Sequence, residues 1–177
     1  VMTCQPAHLI MAMSIPTFWG GKAGSEKLLK TLQDRAGVPV TMSSDACVQA
    51  LRCFEGVRTI GILTPYQPIG DAHVARYFND CGYAVGKVHS LKRPSEVQIA
   101  HATEADIRDG LKILAAAGVD AIVQAGTDLA VIDIADEAER WLGIPVIAIN
   151  AASYWAALRR CGIADPIPGR GMLLANH

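Results

Sequence analysis

The sequence has no hydrophobic run long enough to cross a membrane. Its most apolar stretches, His8–Pro16 and Ile113–Gly126, are too short or are broken by Asp120, whereas a spanning helix needs about 20 apolar residues in succession. The start, Val1-Met2-Thr3-Cys4-Gln5, has no basic segment followed by an apolar run, so a secretory leader is not expected and a soluble, cytoplasmic protein is. Charge of one sign is also missing. Lys+Arg number 16 against Asp+Glu 17, with no basic block, which argues against nucleic acid as the main partner, because duplex binding needs clustered cations.

Metal and nucleotide signatures are absent as well. Cys4, Cys47, Cys53, Cys81 and Cys161 form no Cys-x-x-Cys pair and the five histidines are scattered, so no metal site is expected. An odd count at wide spacing fits reduced thiols. No strand is followed by a P-loop lysine or a Gly-x-Gly-x-x-Gly. The one glycine cluster, Trp19-Gly20-Gly21-Lys22-Ala23-Gly24, reads as a loop rather than a phosphate cradle.

What the chain does have is apolar residues in short, regularly spaced blocks. Of 177 residues 51% are hydrophobic and 19% charged, the composition of one globular domain or two small ones. Strands are expected at His8–Ser14, Val38–Met42, Arg58–Thr64, Tyr83–His89, Asp120–Ala125 and Pro145–Ile149. Helices are expected at Ser25–Ala36, Asp45–Phe54, Gly70–Cys81, Thr103–Ala117, Asp128–Leu142 and Ala151–Cys161. Most strands lack polar alternation, so they belong to parallel sheets covered by helices on both faces.

An internal repeat refines this. Gly37-Val38-Pro39-Val40 recurs as Gly143-Ile144-Pro145-Val146, each after an amphipathic helix, and the helices that follow carry Ala50-Leu51-Arg52 and Ala157-Leu158-Arg159. Generic likeness among βα units is the plainer explanation; the shared context favours duplication. The segment from Arg58 to Ile149 supplies four strands, whereas only two precede it, a poor core for a parallel sheet. The expected architecture is therefore α/β, with two pseudo-symmetric αβα domains. Residues 1–56 with 151–177 form an incomplete first domain that lacks its front part, and 57–150 form a second with a four-stranded parallel sheet. A homodimer is expected to cover the apolar surface this leaves.

Ligands of open parallel sheets bind beyond the carboxyl ends of the strands. Here those ends read Met13-Ser14, Ser43-Ser44, Thr64-Pro65-Tyr66, His89-Ser90, Gly126-Thr127-Asp128 and Asn150. They form a ring of hydroxyls and amides suited to a carboxylate or phosphate.

Five segments, taken in order, resemble the aspartate/glutamate racemase superfamily, and within it the branch of arylmalonate decarboxylases and maleate cis-trans isomerases. They are Met11-Ala12-Met13-Ser14 with Phe18-Trp19-Gly20, Ala50-Leu51-Arg52 leading to Ile62-Leu63-Thr64-Pro65-Tyr66, and Gln124-Ala125-Gly126-Thr127-Asp128-Leu129. Glu137-Ala138-Glu139-Arg140 with Gly143-Ile144-Pro145-Val146, and the tail Pro168-Gly169-Arg170-Gly171-Met172-Leu173-Leu174, complete the set. The resemblance spans essentially the whole chain. It implies pseudo-repeated αβα domains, the first opening with two further βα units, and cofactor-free chemistry on a small carboxylate or dicarboxylate through an enolate-like intermediate.

By the same resemblance Met13, Ser14, Tyr66, Gly126 and Thr127 are substrate-binding positions, with Tyr66 matching a carboxylate-binding tyrosine. The two positions where such enzymes place catalytic cysteines are Ala12 and Gly126 here, so any activity has to be cysteine-independent. Failing that, the chain is a carboxylate-binding protein without catalysis. Asp128 is either a base at the site or a helix N-cap. Lys92 and Arg93 either hold a second carboxylate or form a solvated loop. Cys47 is either at the pocket edge or a small buried residue, and Phe18 and Trp19 either wall the pocket or anchor a loop.

Overall fold

In the computed structural model, which describes residues 1–177, helices and strands alternate from end to end. The chain runs through β1 (Leu9–Met11), α1 (Ser14–Phe18), α2 (Gly21–Ala36), β2 (Val40–Met42), α3 (Ser43–Leu51), β3 (Thr59–Thr64), α4 (Pro68–Asp80) and β4 (Ala84–Ser90). It continues through α5 (Glu96–Ala100), α6 (Glu104–Ala115), β5 (Ala121–Gln124), α7 (Ile132–Leu142), β6 (Val146–Ala148), α8 (Ile149–Arg160) and α9 (Met172–Asn176). All strand pairs are parallel. One sheet holds β1-β2 and the other runs β4-β3-β5-β6.

Burial explains the strand sequences. β5 and β6 are buried at every residue, and β3 at all but its first, so they read as apolar runs without in–out alternation, polar only at their ends. The edge strand β4 is half open to solvent. A continuous core of 36 buried residues reaches from Phe18 through β3, β5 and β6 to Leu174. No helix is long and apolar enough to cross a membrane.

The repeat has a structural counterpart. Met42 and Ala148 hold nearly the same extended backbone, φ −88° and ψ 130° against φ −74° and ψ 124°. Each strand passes straight into its helix, and α3 and α8 pack on one another. The helices begin at Ser43 and Ile149, two residues before the expected starts.

Three further expectations are corrected. The glycine cluster is a tight junction between two helices, not a loop. Pro16 sits in the first turn of α1, where no N–H partner is required. The chain then reverses through Gly20 at φ 78° and α2 starts at Gly21. A side chain on Gly24 would lie 2.1 Å from the Trp19 carbonyl oxygen, so only glycine lets the helices meet.

Secondly, α7 begins at Ile132 rather than Asp128, because Gly126 at φ 113° redirects the chain into a turn at Thr127–Asp128. Thirdly, α5 and α9 occupy segments without a helical expectation. The helix opened by Thr103 forms with a complete capping box: Thr103 accepts from the Asp106 N–H, and Asp106 accepts from the Thr103 N–H.

The tail is tied back by a buried acid. Glu139 accepts from the N–H groups of Val146 at 2.9 Å and Met172 at 2.7 Å. Burial raises its pKa above the usual carboxylate range, and these two bonds oppose the rise.

Candidate active site

The strand order places a topological switch between β3 and β5, where crossovers leave in opposite directions and a crevice opens beyond the strand ends. The backbone pairing continues past both strands. Ala125 N–H donates to Leu63 O at 2.9 Å, Leu91 N–H to Thr64 O at 2.8 Å and Arg93 N–H to Pro65 O at 2.8 Å. The turn carrying Tyr66 is thereby fixed against the one carrying Thr127. Ser90 Oγ donates to the Tyr66 carbonyl at 2.5 Å. Gly70 packs against Tyr66, where an added Cβ would come within 2.8 Å of the Tyr66 Cβ.

At this crevice the β1 end meets the β5 end. Ser14 Oγ lies 2.5 Å from Tyr66 Oη and accepts from the Thr127 N–H at 3.3 Å. Asn150 Nδ2 donates to Thr127 O at 2.9 Å, and Gln124 Nε2 to Gly126 O at 2.7 Å. Residues 52 and 113 apart in sequence are thus joined in one cluster.

The cluster opens into a cavity of about 630 Å³ lined by Ala12, Met13, Ser14, Ile15, Pro16, Tyr66, Glu96, Ile99, Thr127, Asp128 and Asn150. A smaller cavity, about 230 Å³ and bordered by Ser25, Met42, Asp45 and Tyr77, lies away from these strand ends.

Counting protons defines what the cluster can do. Ser14 and Tyr66 carry two hydroxyl protons and share one bond, while the remaining Ser14 acceptor site takes the Thr127 N–H. One hydroxyl proton is left without a protein acceptor, in a pair that lines the cavity. Burial, countered by the Ser14 bond and reinforced by the charges of Asp128 and Asp71, pushes the Tyr66 phenol up to about 12. It therefore stays a neutral donor at physiological pH, the form that stabilises an anion.

The expected site residues fare differently. Met13, Ser14, Tyr66 and Thr127 all line the cavity, whereas Gly126 is buried and is not part of the lining. Asp128 also lines it, exposed and outside α7, and its side chain caps nothing: the N-cap of α7 is Val131. Lys92 and Arg93 do not reach it. The Arg93 guanidinium is held by Asp106 at 2.5 Å, and Lys92 is exposed at φ 48°. Cys47 is fully buried, its thiol pushed far up by burial and then by Asp45. Phe18 is buried core, while Trp19 stacks on His73 at 3.9 Å between centroids, outside this cavity.

Glu96 and Ile99 join the lining without having been expected there, together with Asn150 of the strand-end ring. Asn150 was visible as a polar strand end, but no local pattern marked Glu96 or Ile99. No group of three or more His, Cys, Asp or Glu side chains is placed to hold a metal ion.

The two thiol-free positions differ in kind. Ala12 is exposed in the link between β1 and α1. Gly126 is buried at φ 113°, and a Cβ there would lie 2.7 Å from both Cγ and Cδ of Pro65. No side chain fits that position with the backbone as it stands.

Known proteins are similar to this chain in sequence and in fold. The chain is 28% identical over 170 residues to a maleate isomerase of Pseudomonas putida, covering 94% of this chain and 66% of that protein. It is 28% identical over 160 residues to the arylmalonate decarboxylase of Bordetella bronchiseptica, covering 89% and 66%. The chain thus spans just under two thirds of the length of both relatives.

Among solved structures, arylmalonate decarboxylase superimposes with a TM-score of 0.87 at 25% identity, over 98% of this chain and 77% of the other. Nocardia farcinica maleate cis-trans isomerase, in a form with a covalently bound succinylcysteine intermediate, gives 0.93 at 21% identity, over 100% and 74%, a likeness of fold. The family model described as arylmalonate decarboxylase matches residues 4–174. With parallel sheets and strand-end cluster in place, the chain belongs to the arylmalonate decarboxylase family.

Proposed function

We propose that the Ser14–Tyr66–Thr127 cluster binds the carboxylate of a small substrate and stabilises the enolate-type intermediate formed when a carbon–carbon or carbon–hydrogen bond next to it breaks. The observation that carries this reading is the unassigned hydroxyl proton of the Ser14–Tyr66 pair at the wall of the cavity. As charge moves onto the carboxylate oxygens, that donor strengthens its bond. A single well-placed donor of this kind is worth about 10²–10³ in rate.

In this reading the chemistry is an isomerase's or decarboxylase's without a thiol. For a malonate-type substrate, the bond to the departing carboxylate breaks and carbon dioxide leaves. Its electron pair spreads over the retained carboxylate, and a proton then reaches the α-carbon. Tyr66, still protonated at neutral pH, supplies that proton and recovers one from solvent. The succinylcysteine seen in the Nocardia farcinica enzyme has no equivalent route here, because Ala12 and Gly126 carry no nucleophile. Residues 1–56 with 151–177 form one domain in this account and 57–150 the other. A homodimer is its oligomeric state, supported by the exposure of Ile10 and Met13 beside the open edge of β1.

The test is incubation of the chain with maleate and with aryl- and alkylmalonates, products being followed by NMR. Turnover is expected to fall at least tenfold in Ser14→Ala and in Tyr66→Phe. Turnover indifferent to both substitutions sinks the assignment. A second reading, a carboxylate-binding protein without catalysis, is favoured by the steric closure of position 126. Tight binding of these acids with no product would select it.

A further inference from the structure

We infer that Asp71 is a positioning residue for Tyr66: its carboxylate closes the turn between β3 and α4 and so sets where the Tyr66 hydroxyl stands against Ser14. The inference rests on the carboxylate-pocket reading and adds to it a residue that does not line the cavity.

The turn is closed by a side-chain clasp. Thr64, the last residue of β3, is fully buried, and its hydroxyl donates to Asp71 Oδ1 in the first turn of α4. The bond joins residues seven apart in sequence, with Tyr66 between them. Inside the loop, the Gly70 and Asp71 N–H groups both donate to Gln67 O, at 2.9 and 3.2 Å.

A carboxylate in the first turn of a helix ordinarily serves the free N–H groups there. Asp71 does not. The N-cap of α4 is Gln67, without a side-chain cap bond, and the Asp71 carboxylate accepts from the Thr64 hydroxyl rather than from a backbone N–H. Its half-buried place disfavours a charge and raises its pKa above the usual carboxylate range; the Thr64 bond is the first influence to oppose the rise.

The clasp reaches Tyr66 by contact. A Cβ on Gly70 would lie 2.8 Å from Tyr66 Cβ, 3.1 Å from Tyr66 Cγ and 3.4 Å from Ile15 Cδ1. Ile15 follows Ser14 in α1, and α1 and α4 pack on one another. A shift at the start of α4 is therefore passed both to Tyr66 and to the helical turn that carries Ser14. On its other side the Tyr66 backbone is held from β4, where Ser90 Oγ donates to Tyr66 O at 2.5 Å. The Asp71 charge is also felt at the Tyr66 hydroxyl, where it favours the neutral donor.

The test uses the full chain, labelled with ¹⁵N, with phenylacetate as the probe and the Thr127 amide as the reporter. Asp71→Ala is expected to weaken binding about tenfold, the worth of one misdirected hydrogen bond. Asp71→Asn keeps an oxygen for the Thr64 hydroxyl and is expected to stay within about threefold of the parent. In the Tyr66→Phe chain, Asp71→Ala is expected to change affinity by less than about twofold, because a residue acting through the Tyr66 hydroxyl has nothing left to act on. Thr64→Val breaks the same clasp from the β3 side and is expected to match Asp71→Ala with and without the Tyr66 hydroxyl. It decides the matter if Asp71→Ala does not fold.

Three results each overturn the inference: affinity unchanged in Asp71→Ala, a loss of equal size with and without the Tyr66 hydroxyl, or Asp71→Asn as weak as Asp71→Ala. In each case binding that Tyr66→Phe still weakens leaves the carboxylate pocket standing. Absence of a saturable shift in the parent, or equal affinity in the parent and Tyr66→Phe, overturns the pocket and the inference together.

Discussion

Two strand ends meet at the cavity, and neither carries a thiol, for different reasons. Beyond β1, Ala12 is exposed in the short link to α1. Beyond β5, Gly126 is buried at φ 113° with Pro65 filling the space a side chain would need. One position lacks a thiol through residue choice; the other is closed by the backbone and its neighbour. Ser14 bridges the two ends, through Tyr66 Oη at 2.5 Å and the Thr127 N–H at 3.3 Å. The lesson is that the cluster of oxygens holds the ends together without help from position 126.

Substitution at the closed end is the strongest way to break the comparison. Gly126→Cys is expected to destabilise the fold by about 3 kcal/mol, adding backbone strain to overpacking, read as a lower urea midpoint. Pro65→Ala in the same chain is expected to recover about half of that by making room. A Gly126→Cys variant as stable as the parent would show that the Pro65 contact does not close the site.

The Tyr66 phenol gives the next effect. Its pKa in the fold is raised, to about 12, above the ordinary value of 10. Between pH 10 and about 12 the unfolded chain gives up this proton while the folded chain keeps it. Stability is therefore full below pH 10 and is lost as pH rises through that window, by about 2–3 kcal/mol. Tyr66→Phe is expected to flatten this part of a stability–pH curve, measured by denaturant midpoints.

Ser14→Ala has a smaller expected cost. It leaves the Tyr66 hydroxyl and the Thr127 N–H without their partner, at about 1–2 kcal/mol, which thermal unfolding would show. Ala12→Cys at the open end is the mildest change, within about 0.5 kcal/mol of the parent. Its exposed thiol is expected to react rapidly with a thiol reagent in the folded protein. Cys47, buried and with its thiol pushed far up, is expected to react only on unfolding.

Much of the fold was legible because burial shapes these strands directly. β3, β5 and β6 are covered on both faces and are apolar between their polar ends, so their positions and parallel direction follow from the sequence. The repeated glycine and proline before β2 and β6 marked equivalent junctions. Ser14, Tyr66 and Thr127 could be found because polar residues at apolar strand ends stand out, and the family resemblance gave them roles.

Other features depended on contacts between distant residues. The junction of α1 and α2 needs Gly24 against the Trp19 carbonyl, and the glycine spacing alone looks like a loop. Asp128 after a strand resembles a helix cap until Gly126 is seen to turn the chain. Lys92-Arg93 looked available for a ligand, but Asp106 takes the arginine. Glu96 comes to the cavity on a five-residue helix with no amphipathic repeat to announce it.

The central claim is that the Ser14–Tyr66–Thr127 cluster receives a carboxylate. It is tested most directly by titrating the ¹⁵N-labelled chain with phenylacetate while following the Thr127 amide, in the parent and in Tyr66→Phe. The account predicts a saturable shift in the parent and at least tenfold weaker binding in Tyr66→Phe. A parent amide that does not respond, or equal affinity in the two proteins, would contradict it.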